Sequence, residues 1–186
     1  MKASDIARLL SRFYHGTAKC ILSKTDPVRY ARRLGVRVGR NCRFIDVNWG
    51  SEPYLIRIGD HVSLTYTTFI THDGAVWVLR SEHPDIDHVA PITIGNNVFI
   101  GHGATLLPGV TVGDNVVIGA RSVVAKDIPS NCVAAGVPAR PIRSIEEYER
   151  KVVPKCVSTK HLSPKRKREF LRSTLGLPPD TSAEAR

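Results

Sequence analysis

Ile94-Gly-Asn-Asn-Val98-Phe, Ile100-Gly-His-Gly-Ala104-Thr, Leu106-Leu-Pro-Gly-Val110-Thr, Val112-Gly-Asp-Asn-Val116-Val, Ile118-Gly-Ala-Arg-Ser122-Val and Val124-Ala-Lys-Asp-Ile128-Pro follow one another without a gap. An aliphatic residue opens every block of six, and a small or aliphatic residue stands four places later. Gly follows the opener in four of the blocks. A fixed period held this long marks a repeat architecture. Six fits neither the 3.6 of a helix nor the 2 of a two-faced strand. It fits a chain that makes a short strand, turns and repeats, so that three blocks close a triangular coil. Stacked coils bring like positions about 4.8 Å apart, the spacing of neighbouring strands. The opening aliphatics then fill the prism in columns, and Gly and Asn at the corners suit positive φ. A Val-rich sandwich has no reason to keep such a clock. The expected fold is an all-β solenoid.

The period begins upstream. Val38-Gly-Arg-Asn-Cys42-Arg and Phe44-Ile-Asp-Val-Asn-Trp are two blocks, Gly50 to Tyr54 interrupts, and Ile58-Gly-Asp-His-Val62-Ser and Leu64-Thr-Tyr-Thr-Thr68-Phe resume. Ile70 opens a block that is not completed. Residues 71–91 lose the period and hold three of the seven histidines and one of the two tryptophans. A long irregular excursion from a rigid scaffold is where function tends to sit. The prism ends near Pro129, and 131–143 reads as a closing strand and turn. Three parts follow: an N-terminal helical segment (1–35), the solenoid (36–143) and a basic helical extension with a disordered tail (144–186).

Within the first part, residues 4–14 read as an amphipathic helix, suited to a neighbouring subunit or to a membrane surface. Residues 27–34 read as a second helix, started by Pro27 and ended by Gly35. In the last part, Ser144 and Glu147 have capping-box spacing for a helix over 145–153. A basic helix over 164–173 follows, and the tail from Leu177 has a disordered composition.

The chain has 186 residues, 42% of them hydrophobic, and no apolar run long enough to cross a bilayer. With no signal-peptide pattern either, a cytoplasmic location is expected, with the inner membrane surface as one place of contact. The four cysteines form no CxxC pair, so no metal site is expected, and Cys42 falls at an inward position. A net charge of +10 points to acidic partners. With no nucleic-acid motif and only 6% aromatics to interleave, nucleic acid is not among those expected.

The stretches Ile94-Gly-Asn-Asn-Val-Phe-Ile-Gly, Leu107-Pro-Gly-Val-Thr-Val-Gly-Asp-Asn-Val-Val-Ile-Gly-Ala, Ser122-Val-Val-Ala-Lys-Asp-Ile-Pro and Val133-Ala-Ala-Gly-Val-Pro-Ala-Arg resemble the hexapeptide-repeat acyltransferases. The likeness is to the maltose/galactoside acetyltransferase branch and its polysaccharide O-acetyltransferase relatives. It is close over 92–143, looser over 36–91, and highly specific for fold and acyl donor. It implies a left-handed parallel β-helix, a homotrimer, acetyl-CoA as co-substrate, and a cofactor groove between adjacent prisms. Carried over by motif, the cofactor-binding positions are His102, Ala120, Ala125, Lys126, Arg140 and Arg143. Ala125 stands where relatives often have Thr, and His102 where they commonly have Ser. Lys126, Arg140 and Arg143 suit the phosphates of the cofactor.

Acetyl transfer to a hydroxyl needs a base and a donor for the developing oxyanion. The family uses a histidine in or near the loop that leaves the prism. His72, where the loop departs, is the first candidate; His83, in a His-Pro pair, is the runner-up; His88 has no motif support. Asp73 or Asp85 is available to orient the ring, and backbone N–H groups near Gly101 to Gly103 to serve the oxyanion. Trp77, with Tyr66 and Trp49, is a candidate platform for a sugar ring, Asp85 and Asp87 are candidates for sugar hydroxyls, and Asp73, Trp77 and Asp85 are the substrate-binding positions. The expected reaction is acetyl-CoA-dependent O-acetylation of a carbohydrate hydroxyl in surface polysaccharide or glycolipid synthesis, with N-acetylation of an amino-sugar as the alternative. A gamma carbonic anhydrase-like zinc hydratase would share the prism, but Leu107 stands where its next ligand is expected. A non-catalytic trimeric scaffold is the third reading.

Overall fold

The computed structural model describes residues 22–178. The expected helix over 4–14, and the tail beyond 178, lie outside the described residues. Residues 22–25 are helical. Helix α1 (Pro27–Arg33) follows, with the Asp26 carboxylate accepting from the Arg29 N–H at 2.9 Å and Pro27 at its first position. Gly35, at φ 99°, ends it.

The chain then visits three parallel sheets in strict rotation. β1 (Arg37–Val38) lies in the first sheet and β2 (Arg43–Ile45) in the second. A bridge at Asn48 lies in the third. The second turn is β3 (Ile56–Ile58), β4 (Val62–Thr65) and β5 (Thr68–Phe69). After a hairpin of β6 (His72–Asp73) and β7 (His88–Val89), the third turn is β8 (Ile92–Ile94), β9 (Val98–Ile100) and β10 (Thr105–Leu106). The fourth is β11 (Thr111–Val112), β12 (Val116–Ile118) and β13 (Val123–Val124). Ile128 bridges Val112 to begin a fifth turn, and β14 (Cys132–Gly136) adds to the second sheet. There β15 (Ala139–Ser144) pairs antiparallel and closes the stack, as the closing-strand reading expects.

The columns are those the period demands. Ile58, Ile94, Val112 and Ile128 line one wall; Phe44, Leu64, Ile100, Ile118 and Ala134 the second; Phe69, Leu106 and Val124 the third. All are buried. At roughly 1.5–3 kcal/mol for each large aliphatic taken from water, the columns supply the main drive for the coil. Three details differ from the sequence reading. Phe69, not Ile70, is the inward residue, because the corner at 65–68 is one residue shorter than the corner below it: Phe69 pairs with Leu106 where the block spacing puts Ile70. Cys42 is half-buried rather than buried, its thiol 3.3 Å from the Gly59 carbonyl. At the corners, Asn97, Asn115 and Asn131 take positive φ, whereas Gly95 does not. Gly95 is needed for space, since a Cβ there would sit 2.8 Å from the Gly113 carbonyl of the next coil.

Helix α2 (Ile145–Val152) starts at Ser144, whose hydroxyl accepts from the Glu147 N–H at 3.1 Å. Helix α3 (Pro164–Thr174) is capped by Ser163, which accepts from the Arg166 N–H at 3.4 Å. The chain divides into two compact units, one ending at Glu149 and the other beginning at Arg150. No helix among the described residues is long and apolar enough to cross a membrane.

Candidate active site

The two interruptions of the repeat meet. The first, 50–55, leaves the prism at Gly50, whose φ is 69° and whose absent Cβ would otherwise lie 2.6 Å from the Phe69 carbonyl. Only a glycine presses so close in that conformation. The segment is thereby laid along β5, and a 3-10 turn over Pro53–Leu55 returns it to β3. Glu52, just before that turn, reaches the start of the second interruption. Its Oε2 accepts from the Thr71 hydroxyl at 2.6 Å and stands 3.2 Å from His72 Nδ1. Thr71 is buried; the Glu52 and His72 side chains keep 21% and 45% of their exposure. The Thr71 hydrogen bond, and after it the contact with His72, hold the Glu52 carboxyl below the usual carboxylate range against an opposing loss of hydration. A carboxylate only accepts, so a neutral His72 ring bonded to it carries its proton on Nδ1 and its lone pair on Nε2.

His72 is fixed from the other side by strand pairing. β6 and β7 are antiparallel, His72 opposite Val89 and Asp73 opposite His88. The Thr71 carbonyl accepts from the Ala90 N–H at 2.9 Å, tying the hairpin's two ends together. Asp73 does not orient His72. Its Oδ1 accepts from the Ala75 N–H at 2.9 Å, capping a 3-10 helix over Gly74–Leu79, and its Oδ2 lies 3.9 Å from His88 Nδ1. Glu52 is the residue that sequence reasoning missed. It sits in the minor break, twenty places from His72, and only the break itself hinted at it.

The remaining loop residues lie farther out. His83 and Asp85 are exposed. Trp77 is 73% exposed and stands beside Arg80, whose guanidinium is 5.8 Å from the ring centroid and 2.9 Å from Asp87 Oδ1. Trp49 is no part of a sugar platform: it is buried, edge-on to Phe44 at 5.2 Å and stacked on Phe69 at 5.3 Å. Tyr66 packs against His102, ring centroids 4.5 Å apart, and a hydrogen bond to Asp46 raises the pKa of its phenol.

The proposed cofactor positions fall on three parts of the prism. His102 and Ala120 occupy successive coils of one corner, where the His102 carbonyl accepts from the Arg121 N–H at 2.9 Å. Ala125 and Lys126 are exposed beyond β13, at the opposite edge of the third sheet. Arg140 is exposed on β15, with Nη1 2.9 Å from the Ala139 carbonyl. Arg143 is half-buried opposite Val133, and its Nε is buried without a hydrogen-bond partner. Within one chain the three cations do not converge on a single point. The Gly101 and Gly103 amides are already donating, to the Ile118 and Thr65 carbonyls at 2.9 and 3.3 Å. They are not free to serve an oxyanion. Among the described residues no group of three or more His, Cys, Asp or Glu is arranged to hold a metal ion.

Comparison with known proteins agrees with the repeat. Residues 91–126 match the family described as bacterial transferase hexapeptide (six repeats). Protein CapG of Staphylococcus aureus is 52% identical over 144 residues, which span 75% of this chain and 84% of CapG. The galactoside O-acetyltransferase of Escherichia coli K12 is 40% identical over 125 residues, 67% of this chain and 61% of that protein. The chain thus spans about three fifths of that relative's length. Among solved structures, the hexapeptide-repeat acetyltransferase VCA0836 of Vibrio cholerae O1 biovar eltor, complexed with acetyl-CoA, superposes with a TM-score of 0.55. It is 26% identical, over 76% of this chain and 90% of that one.

Proposed function

Because the chain belongs to the hexapeptide-repeat acetyltransferases, we propose that it transfers acetyl from acetyl-CoA to a carbohydrate hydroxyl, with His72 as general base. The acetyl-CoA complex of the Vibrio cholerae enzyme supports the donor. The name of the Escherichia coli relative supports a sugar hydroxyl as acceptor. A polysaccharide or glycolipid acceptor is the context in which such a hydroxyl is proposed to be found. The observation that carries the base is the pairing of His72 Nδ1 with Glu52, which in the neutral ring places the lone pair on Nε2 of a half-exposed side chain.

In this reading Nε2 takes the proton of the acceptor hydroxyl as its oxygen attacks the thioester carbonyl. Collapse of the tetrahedral adduct expels the thiolate, and the imidazolium gives the proton to that leaving sulfur, freeing CoA–SH and the acetyl ester. Glu52 stabilises the imidazolium in between. The coil is left-handed, as in the family. The site is shared between adjacent prisms of a homotrimer, with His102, Ala120, Ala125, Lys126, Arg140 and Arg143 along the donor surface and Asp73, Trp77 and Asp85 on the acceptor side. An intersubunit site accounts for the scatter of the three cations within one chain: phosphates in a groove between two prisms are met from both walls.

The test is free-thiol release from acetyl-CoA against a panel of nucleotide sugars, lipid-linked sugars and oligosaccharides, with amino-sugars as the N-acetylation arm. Turnover with a hydroxyl acceptor and formation of an ester are expected. Turnover with amino-sugars alone, giving an amide, would replace O- by N-acetylation. No thiol release with any acceptor, from a protein that binds acetyl-CoA, would contradict the reading.

A further inference from the structure

Residues 150–178, which belong to the second compact unit, hold nine Lys and Arg against Glu169 alone. That is a net +8 of the chain's +10, so the rest of the protein is close to neutral. The charge concentrates on α3, where Lys165, Arg166, Lys167 and Arg168 are consecutive and Arg172 follows one turn later. All but Arg172 of these are exposed, and Arg172 bonds the Pro178 carbonyl at 2.7 Å, folding the end of the segment back on the helix. The helix and the residues just past its end show apolar side chains to solvent: Phe170 is 41% exposed, Leu175 67% and Leu177 54%. At 100° per residue, Phe170, Leu171 and the C-cap Leu175 fall within one arc of α3, which Lys167 shares, while Lys165, Arg166, Arg168 and Arg172 lie on the rest of the circumference. A surface that is both anionic and apolar beneath its headgroups suits this mixture of cations and exposed apolar side chains.

We infer that the segment 150–178 is a docking element for an anionic lipid surface. The basic residues meet headgroup phosphates while Phe170, Leu175 and Leu177 enter the headgroup–acyl boundary. Nucleic acid fits less well, because the segment has one aromatic side chain, Phe170, and single strands need several to stack on. The inference rests on the segment alone and stands whether or not the acetyl-transfer reading does.

The test is sedimentation of the full-length protein with vesicles of phosphatidylcholine, pure or with three parts in ten replaced by phosphatidylglycerol, at about 0.1 M salt, where screening is moderate. Binding to the mixed vesicles only is expected, falling steeply as salt rises. Lys165→Gln with Arg166→Gln and Lys167→Gln should weaken partitioning by about 100-fold, at roughly fivefold per charge removed. Leu175→Gln with Leu177→Gln should weaken it without changing its salt dependence. An unchanged melting transition in both variants separates these losses from misfolding. Equal partition to both vesicle types, or tighter retention of a DNA duplex than of the mixed vesicles, would overturn the inference. So would vesicle binding that the three glutamines leave intact.

Discussion

Glu52 and His72, twenty residues apart in the chain, stand 3.2 Å apart between carboxylate Oε2 and imidazole Nδ1. The pairing joins the two places where the repeat fails. In the reading developed here it selects the tautomer that presents a basic Nε2 to an acceptor. Glu52→Gln should therefore lower kcat by about tenfold or more, a share of the 10²–10⁴ that a positioned base contributes. Full turnover in a folded Glu52→Gln variant would detach Glu52 from the chemistry.

Acid should loosen the same contact. The folded-state pKa of Glu52 lies below its ordinary value, so the folded protein holds fewer protons on it than the unfolded chain does. Its contribution to stability is present above that ordinary value, about 4.3, and is lost as pH falls through the depressed one. Melting curves of wild type and Glu52→Gln should be separated at pH 6 and draw progressively together as pH falls below that ordinary value. A constant separation across that range would contradict the assignment.

Gly50→Ala should damage the site from outside it. Alanine at φ 69° costs about 1–3 kcal/mol, and its Cβ must also displace the Phe69 carbonyl. Stability should fall by at least that strain and turnover should fall with it, because Glu52 is carried on the displaced segment. Full activity in a folded variant would show that Glu52 reaches His72 without Gly50's help.

Trp49 is core. Its ring fills the gap between Phe44 and Phe69, below the first interruption. Trp49→Ala should cost about 3–5 kcal/mol in denaturant unfolding. Exposed Trp77 has no such contacts, and Trp77→Ala should leave unfolding within about 0.5 kcal/mol of wild type. If Trp77 serves the acceptor, that variant instead raises KM for the acceptor.

The period of six carried the fold because every inward position from Ile94 to Ile128 obeys one rule, and the structure buries them all. The rule says nothing where it stops. The one-residue shortening before Phe69 is invisible in the sequence, since Phe69 and Ile70 are both apolar and either can point inward. Trp49 and Trp77 look alike as aromatic residues near interruptions; only the neighbours Phe44 and Phe69 decide that one is core. His72 stood out because it sits where the repeat ends. Glu52 did not, because a carboxylate in a short polar break is ordinary, and its role depends on a contact across coils that Gly50 makes possible.

The most direct test of the central claim is steady-state acetyl transfer by His72→Ala beside His83→Ala, in proteins shown to keep the melting transition and assembly of the wild type. His72→Ala should lose at least about 100-fold in kcat while KM for acetyl-CoA stays within a few-fold, and His83→Ala should stay near wild type. Near-full turnover by His72→Ala, or a loss confined to His83→Ala, would contradict it.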